Sequence, residues 1–394
     1  MASQPQEHEK ESVIASLESL VGYDITSSDS ASLSAHPVEN NAITPGHKAA
    51  SSWWRRFFPS DDTIDRLFAD ENMGNYVVIR STGQEIFEAM PLYVRVGMHL
   101  LFYHSRQSSL LRWSSVSHAL ISLSQHQGKL YDDSSDPAAV RAHIESFVQT
   151  YSIPLDELAQ PDLAKYPTFN SFFTRALKDG ARPIAPPLDD PAIILSAADC
   201  RLTVFPTVDE ATRFWIKGQK FSLSALLDDE SVTAQSLSAG ASLAIFRLAP
   251  ADYHRFHSPV GPCTSGPTKH VKGELFTVNP QAVNQDFNVF TANRRDILHS
   301  TWHVTPTSKI PYAFVAIGAM LVGSIGWSTP ASTQGSTSVR RGDELGYFAY
   351  GGSTVVVVFP AGSVQWDEDL RKNSQRGVET MVRVGERIGN ATGR

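Results

Sequence analysis

The sequence predicts an α+β protein, a helical N-terminal region followed by a mainly antiparallel β core. Three observations lead there. Between residues 85 and 185, apolar residues recur at helical spacing. From about residue 190 the rhythm changes to short apolar runs separated by Gly, Pro and Asp, the punctuation of antiparallel strands. Residues 355–359 form an unbroken β-branched and aromatic run, which reads as a strand buried on both faces.

Residues 1–84 read as a flexible N-terminal region. The stretch 26–36 is rich in Ser and Asp and offers little to bury. Within it, Trp53-Trp54-Arg55-Arg56-Phe57-Phe58-Pro59 places aromatics beside arginines. That combination suits peripheral contact with a membrane, rings at headgroup level and guanidinium groups on lipid phosphate. It equally suits a loop whose rings plug a groove in the protein. Glu7, Glu9 and Glu11 stand where a signal peptide needs a basic region, and the same acids argue against a mitochondrial transit peptide. The expected location is therefore cytoplasmic or peripheral on an endomembrane.

Residues 85–185 read as mainly helical. Leu92, Val96, Leu100 and Tyr103 share one helical face, as do Ile144, Phe147 and Val148. The apolar stretch 86–103 is broken by Glu88, Pro91 and Arg95 and falls short of a membrane span. Pro154, Pro161 and Pro167 then punctuate the chain. Residues 186–394 read as the β-rich core, with strands expected at 193–195, 202–205, 243–248, 275–278, 314–317 and 355–359. Gly342-Asp343-Glu344-Leu345-Gly346 reads as a tight connection between two of them.

Composition narrows the function. With 394 residues there is room for two domains, and a net charge of −7 argues against a nucleic-acid partner. Cys200 and Cys263 are the only cysteines, so no disulfide framework holds the fold.

Three places in the β region could carry chemistry. Asp199 opens a strand, where an acid also serves as a plain turn or cap. His254 and His257 lie three apart between Pro250 and Pro259. A helix there is disfavoured, and on an extended segment spacing of three sends the rings to opposite faces, giving them separate tasks. No Cys-x-x-Cys or His-Glu-x-x-His supplies further ligands, so no metal is expected. Ser353 sits in Tyr350-Gly351-Gly352-Ser353-Thr354, a flexible corner opening the strand at 355–359. The corner can be an ordinary turn, or a place where the serine hydroxyl attacks the Gly352 carbonyl and cuts the chain. A lipase-type nucleophile needs Gly two residues after the serine, and Val355 stands there. Asp, His and Ser form activation chains on many folds. One consistent arrangement has Asp199 orienting His257, and His257 taking the Ser353 proton.

The chain resembles the phosphatidylserine decarboxylase proenzyme family over about residues 85–390. The blocks that carry the resemblance are Phe169-Asn170-Ser171-Phe172-Phe173-Thr174-Arg175, Ala181-Arg182-Pro183-Ile184, Ala198-Asp199-Cys200-Arg201, Trp215-Ile216-Lys217-Gly218, residues 252–257, Thr277-Val278-Asn279-Pro280, residues 318–325 and Gly351-Gly352-Ser353-Thr354. The Gly-Gly-Ser-Thr form is similar to the type II, non-mitochondrial branch. The resemblance implies a zymogen that cleaves itself between Gly352 and Ser353, leaving a pyruvoyl group on Ser353 as the cofactor and α and β chains from one precursor. It implies Asp199 and His257 as partners of Ser353 in cleavage, and His254 in decarboxylation. It implies phosphatidylserine as substrate and phosphatidylethanolamine and carbon dioxide as products. The alternative is a soluble relative that decarboxylates a free amino acid, an aromatic one included, in secondary metabolism. Two departures stand out. The chain has no room before its core for the C2 and EF-hand modules that type II members often carry. Asn284-Gln285 also replaces a basic residue, which weakens any contact with a lipid phosphate.

Overall fold

The run that reads as doubly buried is the centre of the molecule. Ser353–Phe359 is a strand in which every residue is buried, hydrogen-bonded on one side to Ser242–Leu248 and on the other to Lys309–Gly318. A strand covered on both faces has no polar side to alternate with, which is why its sequence is continuous Val and Phe. The computed structural model describes residues 74–89, 128–129, 131–214, 216, 221–229, 237, 240–275, 289–319, 324–328, 337–349 and 353–392.

In chain order the strands are β1 (Gly74–Ile79), β2 (Gln84–Ala89), β3 (Ile193–Leu195), β4 (Cys200–Phe205), β5 (Ser242–Leu248), β6 (Arg255–His257), β7 (Cys263–Val271), β8 (Arg295–His303), β9 (Lys309–Gly318), β10 (Ile325–Trp327), β11 (Thr337–Val339), β12 (Glu344–Phe348), β13 (Ser353–Phe359), β14 (Val364–Trp366), β15 (Glu379–Val382) and β16 (Arg387–Ala391). Ten of them form one sheet in the order β11-β7-β8-β9-β13-β5-β4-β15-β1-β2. Its pairs are antiparallel except β1–β15. Two three-stranded sheets, β10-β12-β6 and β14-β16-β3, complete the core. The α+β reading holds. The expected strands at 193–195, 202–205, 243–248, 314–317 and 355–359 all form, whereas 276–278 lie outside the described residues. The Gly342 corner joins β11 to β12, with Gly342 at φ +83°, but residues 344–346 already belong to β12.

The helical region has its own core. Helix α1 (Pro137–Tyr151) starts at Asp136, whose side chain accepts from the amides of Ala138 and Ala139, and Pro137 fits the first turn. Its Ile144 and Phe147 pack with Phe169, Phe172 and Phe173 from the short helix α2 (Phe169–Phe173). The helical face at residues 92–103 and the aromatic-arginine stretch at 53–59 lie outside the described residues.

The boundary expected between residues 84 and 85 falls inside a structured unit. Strands β1 and β2 form a hairpin, with Val77, Val78 and Ile79 pairing parallel to Glu379, Thr380 and Met381 of β15. The partner strand lies some three hundred residues away, so no local pattern announces it. Charged ties secure the docking. Arg80 reaches Asp367 (2.9 Å) and Asp369 (2.8 Å), and Glu85 meets Arg376 (2.8 Å).

Candidate active site

Strand pairing brings three separate stretches to one end of the large sheet. Ser353, the first residue of β13, lies between Leu248 of β5 and Gly318 of β9. Gly318 puts no side chain beside it. Ser353 is 0 % exposed, and its Oγ has no hydrogen-bond partner among the described residues. Leaving a buried hydroxyl unsatisfied costs about 1–3 kcal/mol, so such a group calls for a reason. Gly352, whose carbonyl the hydroxyl is expected to attack, lies outside the described residues.

Beyond Leu248 the chain turns sharply. The Asp252 carboxylate accepts from the Ala249 amide (2.7 Å) and is gripped by Arg201 (2.5 Å). The turn delivers His254, fully buried, against the Phe173 ring, with centroids 4.0 Å apart. The His254 carbonyl accepts from the Phe348 amide (2.9 Å), five residues before Ser353. His254 Nδ1 lies 2.9 Å from the Asp252 carbonyl. A carbonyl only accepts, so Nδ1 carries the proton of this hydrogen bond.

His257 closes β6 and faces a different environment, as spacing of three on an extended segment predicts. Its Nδ1 donates to the Gly342 carbonyl (2.9 Å), which leaves Nε2 as the basic nitrogen. The Tyr253 hydroxyl lies 3.4 Å from that nitrogen. Burial keeps the Tyr253 phenol protonated and lowers the His257 pKa, outweighing the Gly342 hydrogen bond and the nearby carboxylates Glu344 and Asp199. His257 is therefore a neutral base at physiological pH.

Asp199 sits just before β4, and the His257 amide donates to Ala197 two residues upstream (2.8 Å). The backbone thus brings Asp199 and His257 close, but no hydrogen bond joins their side chains. Arg182 takes the carboxylate instead, Nε reaching Oδ1 (3.0 Å) and Oδ2 (2.9 Å) and Nη2 reaching Oδ2 (2.7 Å). The Val384 amide adds a bond to Oδ1 (2.8 Å). A forked, charge-assisted contact is roughly twice as strong as a neutral one, so it prevails over an imidazole. Nor does a hydrogen bond join Ser353 Oγ to either histidine. The sequence reading named these four residues but not their side-chain partners.

Two further features escaped sequence reasoning. One is Arg182, whose Arg-Pro dipeptide carries no local signal for a partner seventeen positions away. The other is a charged belt across the sheet. Arg201 and Arg247 are direct cross-strand neighbours, a repulsive pair in isolation. Glu88 bridges both (2.5 and 3.0 Å), Glu379 takes Arg247 (2.5 Å), and Asp252 takes Arg201. Burial alone would raise the Glu88 carboxyl, but Arg247 and Arg201 override it and hold it at about 2. A depressed folded-state pKa stabilises the fold above the unfolded value and loses that contribution as pH falls through the folded one. Glu88 thus contributes at most roughly 3 kcal/mol at neutral pH, all of it lost between about pH 4.5 and 2. Denaturant titrations should show Glu88→Gln less stable than wild type at pH 7, with the gap closing by pH 2–3.

A sequence model of the family described as phosphatidylserine decarboxylase matches residues 169–390. The phosphatidylserine decarboxylase proenzyme 2 of Oryza sativa subsp. japonica is 43 % identical over 315 residues, covering 79 % of this chain and 48 % of that protein. Proenzyme 3 of Schizosaccharomyces pombe is 40 % identical over 310 residues, 79 % of this chain and 30 % of that protein. This chain therefore spans about a third to a half of the length of these eukaryotic relatives. The proenzyme of Chlamydia pneumoniae is 35 % identical over 313 residues, which is 79 % of this chain and 96 % of that protein.

Proposed function

This chain belongs to the phosphatidylserine decarboxylase family, and on that premise we propose that it is a self-cleaving, pyruvoyl-dependent enzyme converting phosphatidylserine to phosphatidylethanolamine and carbon dioxide. The observation that carries this reading is the Ser353 hydroxyl, buried and without a hydrogen-bond partner among the described residues, at the first residue of the central strand. A hydroxyl kept from water and from competing donors suits an attack on the preceding carbonyl. Ser353 Oγ attacks the Gly352 carbonyl carbon while His257 Nε2 takes its proton. The amide C–N bond breaks, an ester forms, and the Ser353 nitrogen gains a proton. Loss of the Ser353 α-proton expels the Gly352 carboxylate and leaves dehydroalanine. One water then replaces the nitrogen, which departs as ammonia, and residue 353 keeps a pyruvoyl ketone.

That ketone supplies an electron sink for the pair released as carbon dioxide leaves. The chain's own residues bind, orient and move protons around it. His254, held by the Asp252 carbonyl and covered by Phe173, returns a proton to the reacting carbon. The two chains stay joined because β13 is paired on both sides and Val384 bonds Asp199. The lipid's acyl chains remain in the bilayer, so the enzyme docks peripherally. Among the described residues no helix is long and apolar enough to cross a membrane.

The test offers processed protein phosphatidylserine liposomes and, separately, each free amino acid, and measures carbon dioxide. Release from liposomes alone is expected. Turnover of a free amino acid, with none from liposomes, would move the substrate assignment to the soluble alternative.

A further inference from the structure

Arg182 holds the most developed set of contacts around any of the four candidate residues. Its guanidinium is 12 % exposed and forks onto both oxygens of Asp199, while Nη1 reaches Glu157 (2.8 Å) and the Ala181 carbonyl (2.8 Å). Glu157 also meets Arg383 (3.3 Å), next to the Val384 amide that bonds Asp199. Among the described residues, the charged contacts on the Asp199 carboxylate come from one side chain. The fork sets the plane of the carboxylate and its rotamer, which an imidazole hydrogen bond would otherwise have to do.

We infer that Arg182 is a positioning residue for self-cleavage, orienting the Asp199 carboxylate toward the His257–Ser353 chemistry through its bidentate fork. The inference rests on the reading that Asp199 acts in that cleavage. A planar fork cannot be replaced by a point charge without loss of orientation. A misplacement of about 1 Å in a reacting group can cost on the order of a hundredfold in rate.

The experiment follows appearance of the fragment that begins at residue 353, by intact mass, in freshly synthesised precursor. Arg182→Ala should cleave at least about tenfold slower than wild type. Guanidinium ion added to Arg182→Ala should restore much of the rate, while urea, neutral and of similar shape, should not. Arg182→Lys should fall between wild type and the alanine variant. Glu157→Gln, which loosens Arg182 but leaves the fork, should cleave within about threefold of wild type. Near-UV circular dichroism checks that each variant is folded. If Arg182→Ala does not fold, Arg182→Lys decides alone, and a folded Arg182→Lys cleaving at the wild-type rate overturns the inference. So does a folded Arg182→Ala that cleaves normally, or whose loss guanidinium fails to repair. Asp199→Asn separates the two layers. If it cleaves at the wild-type rate, the role of Asp199 itself falls and this inference with it. If it stalls while the Arg182 variants cleave normally, only the inference falls.

Discussion

Ser353→Ala leaves the chain as one uncut polypeptide with no decarboxylase activity. On the proposed reading the wild-type precursor should yield two fragments, the second beginning at residue 353 and carrying a blocked N-terminus. The loss is complete because one hydroxyl serves two ends, cutting the chain and becoming the ketone. Without it turnover falls to the uncatalysed level, a loss on the order of a millionfold or more. Misfolding would be the ordinary explanation of so large an effect, and the geometry removes it. The Ser353 hydroxyl is buried and makes no hydrogen bond among the described residues, so its removal takes away an unsatisfied polar atom and leaves the β5–β13–β9 backbone pairing intact. Ser353→Ala should therefore be as stable as the wild-type precursor or up to about 1 kcal/mol more stable. Gel mobility, intact mass and a denaturant melt together check this. An active wild-type protein that runs as one uncut chain would sink the assignment of Ser353.

What the sequence disclosed follows the range of the forces involved. Strand β13 was legible because a doubly buried strand must be apolar at every position, and residues 355–359 are. Helix α1 was legible from the spacing of Ile144, Phe147 and Val148. The separation of His254 from His257 was legible from period-two geometry between two prolines. The hairpin β1–β2 was not, because its partner β15 lies near the other end of the chain. The Asp199 partner was missed for a related reason. A carboxylate goes to the strongest donor within reach, and only the fold put Arg182 there rather than His257. The belt of Glu88, Arg201, Arg247, Glu379 and Asp252 joins residues spread from position 88 to position 379, and no local pattern links them.

The two histidines should fail in different ways. His257→Ala should slow self-cleavage by about a hundredfold to ten-thousandfold, the usual contribution of a positioned general base. Its Nδ1 is committed to the Gly342 carbonyl, so Nε2 alone is available for the Ser353 proton. Burial lowers the pKa of this imidazole below its ordinary 6.5, and the base works only when neutral. Cleavage of the wild-type precursor should therefore still exceed half its plateau rate at pH 6.5 and fall to half only at a lower pH. A fully exposed histidine would already have lost half its rate there. His254→Ala should cleave far more readily than His257→Ala, because His254 is anchored to the Asp252 carbonyl under Phe173 and has different partners from His257. Its defect should lie in turnover, with decarboxylation by the processed protein reduced by about a hundredfold or more. Intact mass of each precursor over time, and carbon dioxide release from each processed protein, separate the two steps. If His254→Ala stalls as a precursor while His257→Ala matures normally, the roles are exchanged, and the base at Ser353 is the histidine that the Asp252 turn delivers.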